Sequence, residues 1–128
     1  LRALLDTATF LWICRQSTKL SRRAAAIYED PSNEIYLSPA SAYEIVIKYN
    51  QGKLDVGGSP TSFIRSERER RRIRPLPIDE ESAFAVERLP AIHADPFDRL
   101  LIGQSIAHGL TILTPDATIA LYPIRTIW

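Results

Sequence analysis

The feature that most constrains the fold is the alternation of very short apolar runs with segments long enough for helices. "ALLD" at residues 3–6 is a short apolar run that reads as a buried strand, and "ATFLWICRQ" behind it reads as a helix. "LSRRAAAIYED" is rich in helix formers and is closed by "PSN". "EIYLSP" reads as a second strand. "SPASAYEIVIKYNQG" then opens with Ser38 as N-cap and Pro39 at the first helical position, and ends at Gly52, which can take the left-handed cap. A helix over "SPTSFIRSERERRRIR", an extended "PLPI" and a helix over "DEESAFAVERLP" follow. Next come a helix behind Asp95 ending at His108-Gly109, the strand "LTILT", a short helix over "PDATIALY" and the terminal strand "PIRTIW". Strands alternating with helices predict a three-layer α/β/α sandwich with a short, mostly parallel central sheet. At 128 residues, one domain over 1–128 is expected.

Bulk properties exclude more than they assign. The net charge is +1, too small for a chain that relies on bulk attraction to nucleic acid. Cys14 is the sole cysteine, so no internal disulfide forms, and a reducing compartment is expected. No apolar run reaches membrane-spanning length and no cleavable signal pattern stands at the start; a soluble, cytoplasmic protein is the expectation.

In an open parallel sheet, ligands gather beyond the carboxyl ends of the strands. Two apolar strands run into an aspartate there, "ALLD" at Asp6 and "ILTPD" at Asp116. Glu44, Asp95 and Asp98 also fall at or near strand ends and helix starts. Local capping accounts for several of them. Asp95 before Pro96 is a good N-cap, Asp98 then takes the N3 position of a capping box, and Asp116 follows the similar Thr114-Pro115 pair. Asp6 or Thr7 can cap the helix that follows. Glu44 is too deep in its helix to be a cap. It falls opposite the apolar positions Ala42, Ile45, Val46 and Tyr49, where an exposed pair with Lys48 is the plain reading. Taken as one cluster, the acids would repel one another, so some would stay protonated or demand a cation. Oxygen donors without clustered cysteine or histidine point to Mg²⁺ or Mn²⁺. Helix N-termini beside Asp98 and Asp116 are expected to lower the pKa of both.

These residues together resemble the PIN-domain family, and within it the VapC-type toxins of toxin–antitoxin pairs. The likeness runs through "LLDTATFLW", "SPASAYEIVIKYNQGKL", "LPIDEESA", "LPAIHADPFDRLLIGQS" and "GLTILTPDATIALYPIRTIW", nearly the whole chain. The block "HxDPFDRLLI" followed by "TxD" and a terminal "IW" is specific to one branch. The resemblance implies a Mg²⁺- or Mn²⁺-dependent endoribonuclease with a PIN-like fold. It makes Asp6, Glu44, Asp98 and Asp116 the catalytic, metal-holding acids and Thr114 a supporting hydroxyl. Asp95 is the branch's additional acid, read here as a helix cap rather than a direct ligand. It also implies an RNA substrate, a VapB-type antitoxin whose tail covers the acidic groove, and a homodimer. Two departures stand out: Ala8 where a histidine is common, and Ala94 where an arginine is common after the histidine. Neither removes an acid.

Other features have plainer readings. Six arginines crowd Arg65 to Arg74 with Glu67 and Glu69 among them, as a solvated helix end or as an RNA-backbone contact near the acids. His93 is expected to be structural, with donation to an acid or to substrate as the alternative. His108 sits in a last helical turn, and Trp12 is expected in the core rather than on an oligomer surface. Two other functions compete. A phospho-accepting receiver also places acids at strand ends, but needs an early acidic pair and a lysine after a later strand, which this chain lacks. A catalytically silent subunit that only binds its antitoxin needs none of the acids, yet all four are present.

Overall fold

The computed structural model describes all residues, 1–128. Arg2–Leu5 forms β1, the central strand, and Ala3, Leu4 and Leu5 have no exposed surface. Helices α1 (Thr7–Cys14) and α2 (Arg22–Glu29) lead to β2 (Glu34–Leu37). Helices α3 (Pro39–Asn50) and α4 (Pro60–Arg70) lead to β3 (Arg74–Pro75). The chain then runs through α5 (Glu80–Ala85) and α6 (Pro96–His108) to β4 (Thr111–Leu113) and ends in β5 (Thr126–Ile127). All pairings are parallel, in the order β3-β2-β1-β4-β5, with Ala3 beside Ile35 and Thr111 and Leu5 beside Leu113.

Successive residues of a strand face opposite sides of a sheet, and the two cores divide on that rule. Ala3, Leu5, Ile35, Leu37 and Leu113 pack under α1 to α4 with Phe10, Ile13, Ala24, Ile45 and Ile64. Leu4 and Ile112 face the other way, onto Leu101 and Ile102 of α6. The expected three-layer α/β/α architecture therefore forms. From β1 the chain first builds outward to β2 and β3, then crosses to the other side for β4 and β5. The crevice at the carboxyl ends of β1 and β4 is thus the switch point of the sheet, where a ligand site is favoured.

Ser38 caps α3 by accepting from the Ala40 N–H at 3.0 Å, and Gly52 just beyond its end takes φ 69° in the left-handed region, as the sequence predicts; α6 ends at Gly109, φ 66°. Prolines shorten two expected helices. "DEESAFAVERLP" is helical only to Ala85 and continues as a 3₁₀ turn over Val86–Arg88, because Leu89 before Pro90 must be extended. "PDATIALY" yields only a 3₁₀ turn, Ile119–Leu121, with Tyr122 extended before Pro123. The expected "PLPI" connector starts inside the edge strand β3, whose last residue, Pro75, costs no ladder bond on its open side.

Candidate active site

The acids of the sequence reading are delivered to the crevice by four parts of the fold, Asp95 and Asp98 both by the start of α6. Asp6 ends β1 and caps α1: its Oδ1 accepts from the Thr9 N–H at 2.8 Å. Thr9 in turn donates its hydroxyl to the Leu113 carbonyl at 3.0 Å, tying α1 to the end of β4. Thr114, immediately after β4, donates its hydroxyl to Asp6 Oδ2 and accepts the Asp116 N–H at 3.0 Å. One buried hydroxyl therefore sets the relative placement of Asp6 and Asp116, which are 110 positions apart in the chain. Asp116 Oδ1 accepts from the Thr118 and Ile119 N–H groups at 2.8 and 3.3 Å. It caps a turn of its own rather than sitting in the first turn of a helix.

Glu44 projects from α3, accepts the Thr7 hydroxyl at Oε1 and pairs with Lys48 at 3.1 Å through Oε2. The Lys48 pair is as expected, but its setting is not. Ser41, one turn before Glu44, is fully buried, whereas Tyr43 is 62% exposed. The buried face of α3 is therefore rotated toward Ser41, which turns Glu44 into the crevice with its side chain only 17% exposed. Asp95 caps α6, Oδ1 accepting from the Phe97 and Asp98 N–H groups at 2.9 and 3.1 Å. Asp98 stands at N3, yet its carboxylate does not close the capping box: Oδ2 meets His93 Nε2 at 3.1 Å instead.

Asp6, Glu44, Asp95, Asp98 and Asp116 line a single cleft of about 290 Å³, with the cations Arg15 and Lys48 on its rim. Burial pushes the Asp6 carboxyl above the ordinary range; hydrogen bonds from Thr114 and Thr9 oppose this, and the charge of Asp116 adds to it. Burial pushes Asp98 up to about 6, against the hydrogen bond from His93 and with the charges of Asp95 and Asp116 adding. The expectation that the helix terminus would depress Asp98 is thus overturned, since loss of water outweighs the dipole. Asp116 raises both neighbours, so the acids share one field. No three acidic or imidazole side chains stand close enough to enclose an ion in this arrangement. Each carboxylate is instead turned onto a protein donor. The donor set, all oxygen and mutually repelling in one cleft, fits a hard divalent cation.

Some residues fall elsewhere than expected. Trp12 is not core: it lines the cleft, tilted against Trp128 with centroids 5.6 Å apart. The arginine run does not border the acids. Arg70 and Arg71 pair with Glu67 at 2.6 and 2.7 Å, and Arg74 pairs with Glu34 at 2.7 Å, at the amino end of β2. His108 stands 3.0 Å from Asp79, linking the end of α6 to the cap of α5. The sequence reading missed Thr7, whose hydroxyl holds Glu44, and Tyr122, whose hydroxyl holds His93 at 2.6 Å. Thr7 was discoverable as a hydroxyl beside a candidate ligand. Tyr122 carried no local signal.

A doubly wound parallel sheet with carboxylates at its switch point defines a class of small α/β domains with an acidic cleft. Within that class this chain belongs to the PIN domain family, whose profile matches residues 3–123. Among solved structures, VapBC2 from Rickettsia felis bound to a promoter DNA fragment aligns over 100% of this chain and 99% of its own, with TM-score 0.75 and 15% identity. DNA-bound VapBC from Salmonella typhimurium aligns over 99% and 97%, with TM-score 0.67 and 18% identity. FitAcB from Neisseria gonorrhoeae aligns over 98% and 96%, with TM-score 0.63 and 22% identity. At these identities the likeness is one of fold. No curated protein matches significantly in sequence. No helix is long and apolar enough to cross a membrane.

Proposed function

We propose that this chain is a metal-dependent endoribonuclease, the VapC-type toxin of a toxin–antitoxin pair. The observation that carries the reading is the meeting of Asp6, Glu44, Asp98 and Asp116 in one cleft of a PIN-domain chain. Those four acids would hold Mg²⁺ or Mn²⁺. Bound there, such an ion would lower the pKa of a coordinated water and offset the charge of a phosphodiester. The protein's own part is positional. Thr114 keeps Asp6 and Asp116 in register, and Thr7 holds one Glu44 oxygen. Lys48 and Arg15 offer positive charge on the rim of a cleft that an RNA backbone must enter.

Two surfaces bear on partners. Two neighbours in fold are VapBC assemblies bound to DNA, which supports a VapB-type antitoxin for this chain. A basic residue of its tail would suit the acidic cleft. A homodimer is proposed through a separate groove of about 460 Å³ between α3 and α6, lined by Tyr43, Phe97 and Ile78 among others. No charged residue lines it, so neither RNA backbone nor a basic tail finds a counter-charge there, whereas the same apolar groove on a second copy of the chain needs none.

Mapping the 5′ ends of cellular RNA after brief induction tests the activity. Wild type is expected to create new ends that Asp6→Asn and Asp98→Asn do not; ends formed equally by all three would remove the acids from the chemistry. Asparagine remains a good N-cap, so α1 survives the first change. The splayed acids favour one second reading, a silent subunit that only binds its antitoxin. Calorimetry separates the two: wild type is expected to bind Mn²⁺, and a silent scaffold would give no heat.

A further inference from the structure

Tyr122 lies within the core beside α6, 3% exposed and 29 positions along the chain from His93. Its hydroxyl has one proton and two lone pairs. Arg99 Nη1 donates to it at 2.9 Å, and a guanidinium cannot accept in return. The His93 backbone N–H donates to it at 3.3 Å. Both lone pairs are thereby used, and the phenolic proton has one close acceptor, His93 Nδ1 at 2.6 Å, against the His93 carbonyl at 3.4 Å. Nδ1 must then be the bare nitrogen. In a neutral imidazole the proton sits on Nε2, which lies 3.1 Å from Asp98 Oδ2. Arg99 is itself anchored, donating to the Pro90 carbonyl at 2.9 Å and lying over the Tyr122 ring at 5.8 Å.

We propose that Arg99 and Tyr122 act through His93 as positioning residues. They hold His93 as the Nε2–H tautomer, and that N–H fixes one oxygen of Asp98 so that the other is presented to the cleft. The tautomer stands on the hydrogen-bond geometry alone; its consequence for metal rests on the nuclease reading, in which Asp98 is a ligand. Partners that orient a metal-holding side chain from behind commonly change affinity by about ten- to a hundredfold.

The test begins on ¹⁵N-labelled, metal-free wild type, where the only other histidine is His108. Long-range ¹H–¹⁵N correlation is expected to show His93 Nε2 protonated and Nδ1 bare, with the two forms mixing in Tyr122→Phe. Mn²⁺ titration calorimetry is then expected to show affinity falling about tenfold or more in His93→Ala and in Tyr122→Phe. His93→Gln, whose amide N–H can stand where Nε2–H stands, is expected to restore most of it. A proton found on Nδ1 in wild type overturns the proposal. So does wild-type Mn²⁺ affinity in His93→Ala when Asp98→Asn has lost it. If Asp98→Asn also binds Mn²⁺ as wild type does, the site assignment fails, and the positioning role falls with it.

Discussion

At the scale of single residues, Asp98 carries a stability cost that the nuclease reading explains. A carboxyl with a higher pKa in the folded chain than in the unfolded one holds its proton more tightly when folded. Raised from 3.8 to about 6, Asp98 therefore weakens the metal-free fold once both states are ionised, and the loss shrinks as pH falls. For a side chain 22% exposed the effect is about 2 kcal/mol near pH 7. Thermal melts of metal-free protein should show Asp98→Asn more stable than wild type at pH 7.5. The difference should narrow as the pH falls from about 6 toward about 4. A variant less stable than wild type at pH 7.5 would mean that Asp98 is well accommodated as a charge. Bound cation would reverse the sign for wild type, since it stabilises the form that the empty cleft disfavours.

At the scale of elements, α6 is the piece on which the site most depends. Asp95 and Pro96 fix its start, Asp98 rides on its first turn, and α5 packs closely against its middle. A Cβ added at Gly103 would stand 2.3 Å from the Ser82 carbonyl oxygen of α5. Gly103→Ala must push the two helices apart, and chemical denaturation should show a loss of about 1–3 kcal/mol. An unchanged midpoint would mean that α5 gives way freely. Asp95→Ala should cost about 1 kcal/mol as a lost cap, and RNA cleavage should fall further than that stability loss explains, because Asp98 loses its aim. The caps were legible from sequence because they are local: Ser38, Asp95 and Gly109 each act on residues within a turn. The orientation of α3 was not. Serine, alanine and tyrosine do not by themselves report which helix face is buried, and here burial of Ser41 turned Glu44 inward.

At the scale of the whole molecule, the alternation of apolar runs and helices was enough to anticipate parallel layers, because strands covered by helices on both faces read as short apolar runs between helical segments. The strand order was not legible, since it is set by which side of β1 each crossover takes. Nor was the Arg99–Tyr122–His93 chain, which depends on a residue brought in from near the end of the sequence. The uncharged groove between α3 and α6 carries a further expectation at this scale. Tyr43→Arg should shift the protein from dimer to monomer in sedimentation velocity, and an unchanged dimer would place the contact elsewhere.

The central claim is that the cleft acids form a metal-dependent ribonuclease centre. The most direct measurement incubates purified protein with a single-stranded RNA in Mn²⁺, with and without chelator, for wild type and for Asp6→Asn. Wild type should cut the RNA only when the metal is free, and Asp6→Asn should leave it intact while retaining the wild-type circular dichroism spectrum. Cleavage that survives both chelator and the substitution would contradict the account.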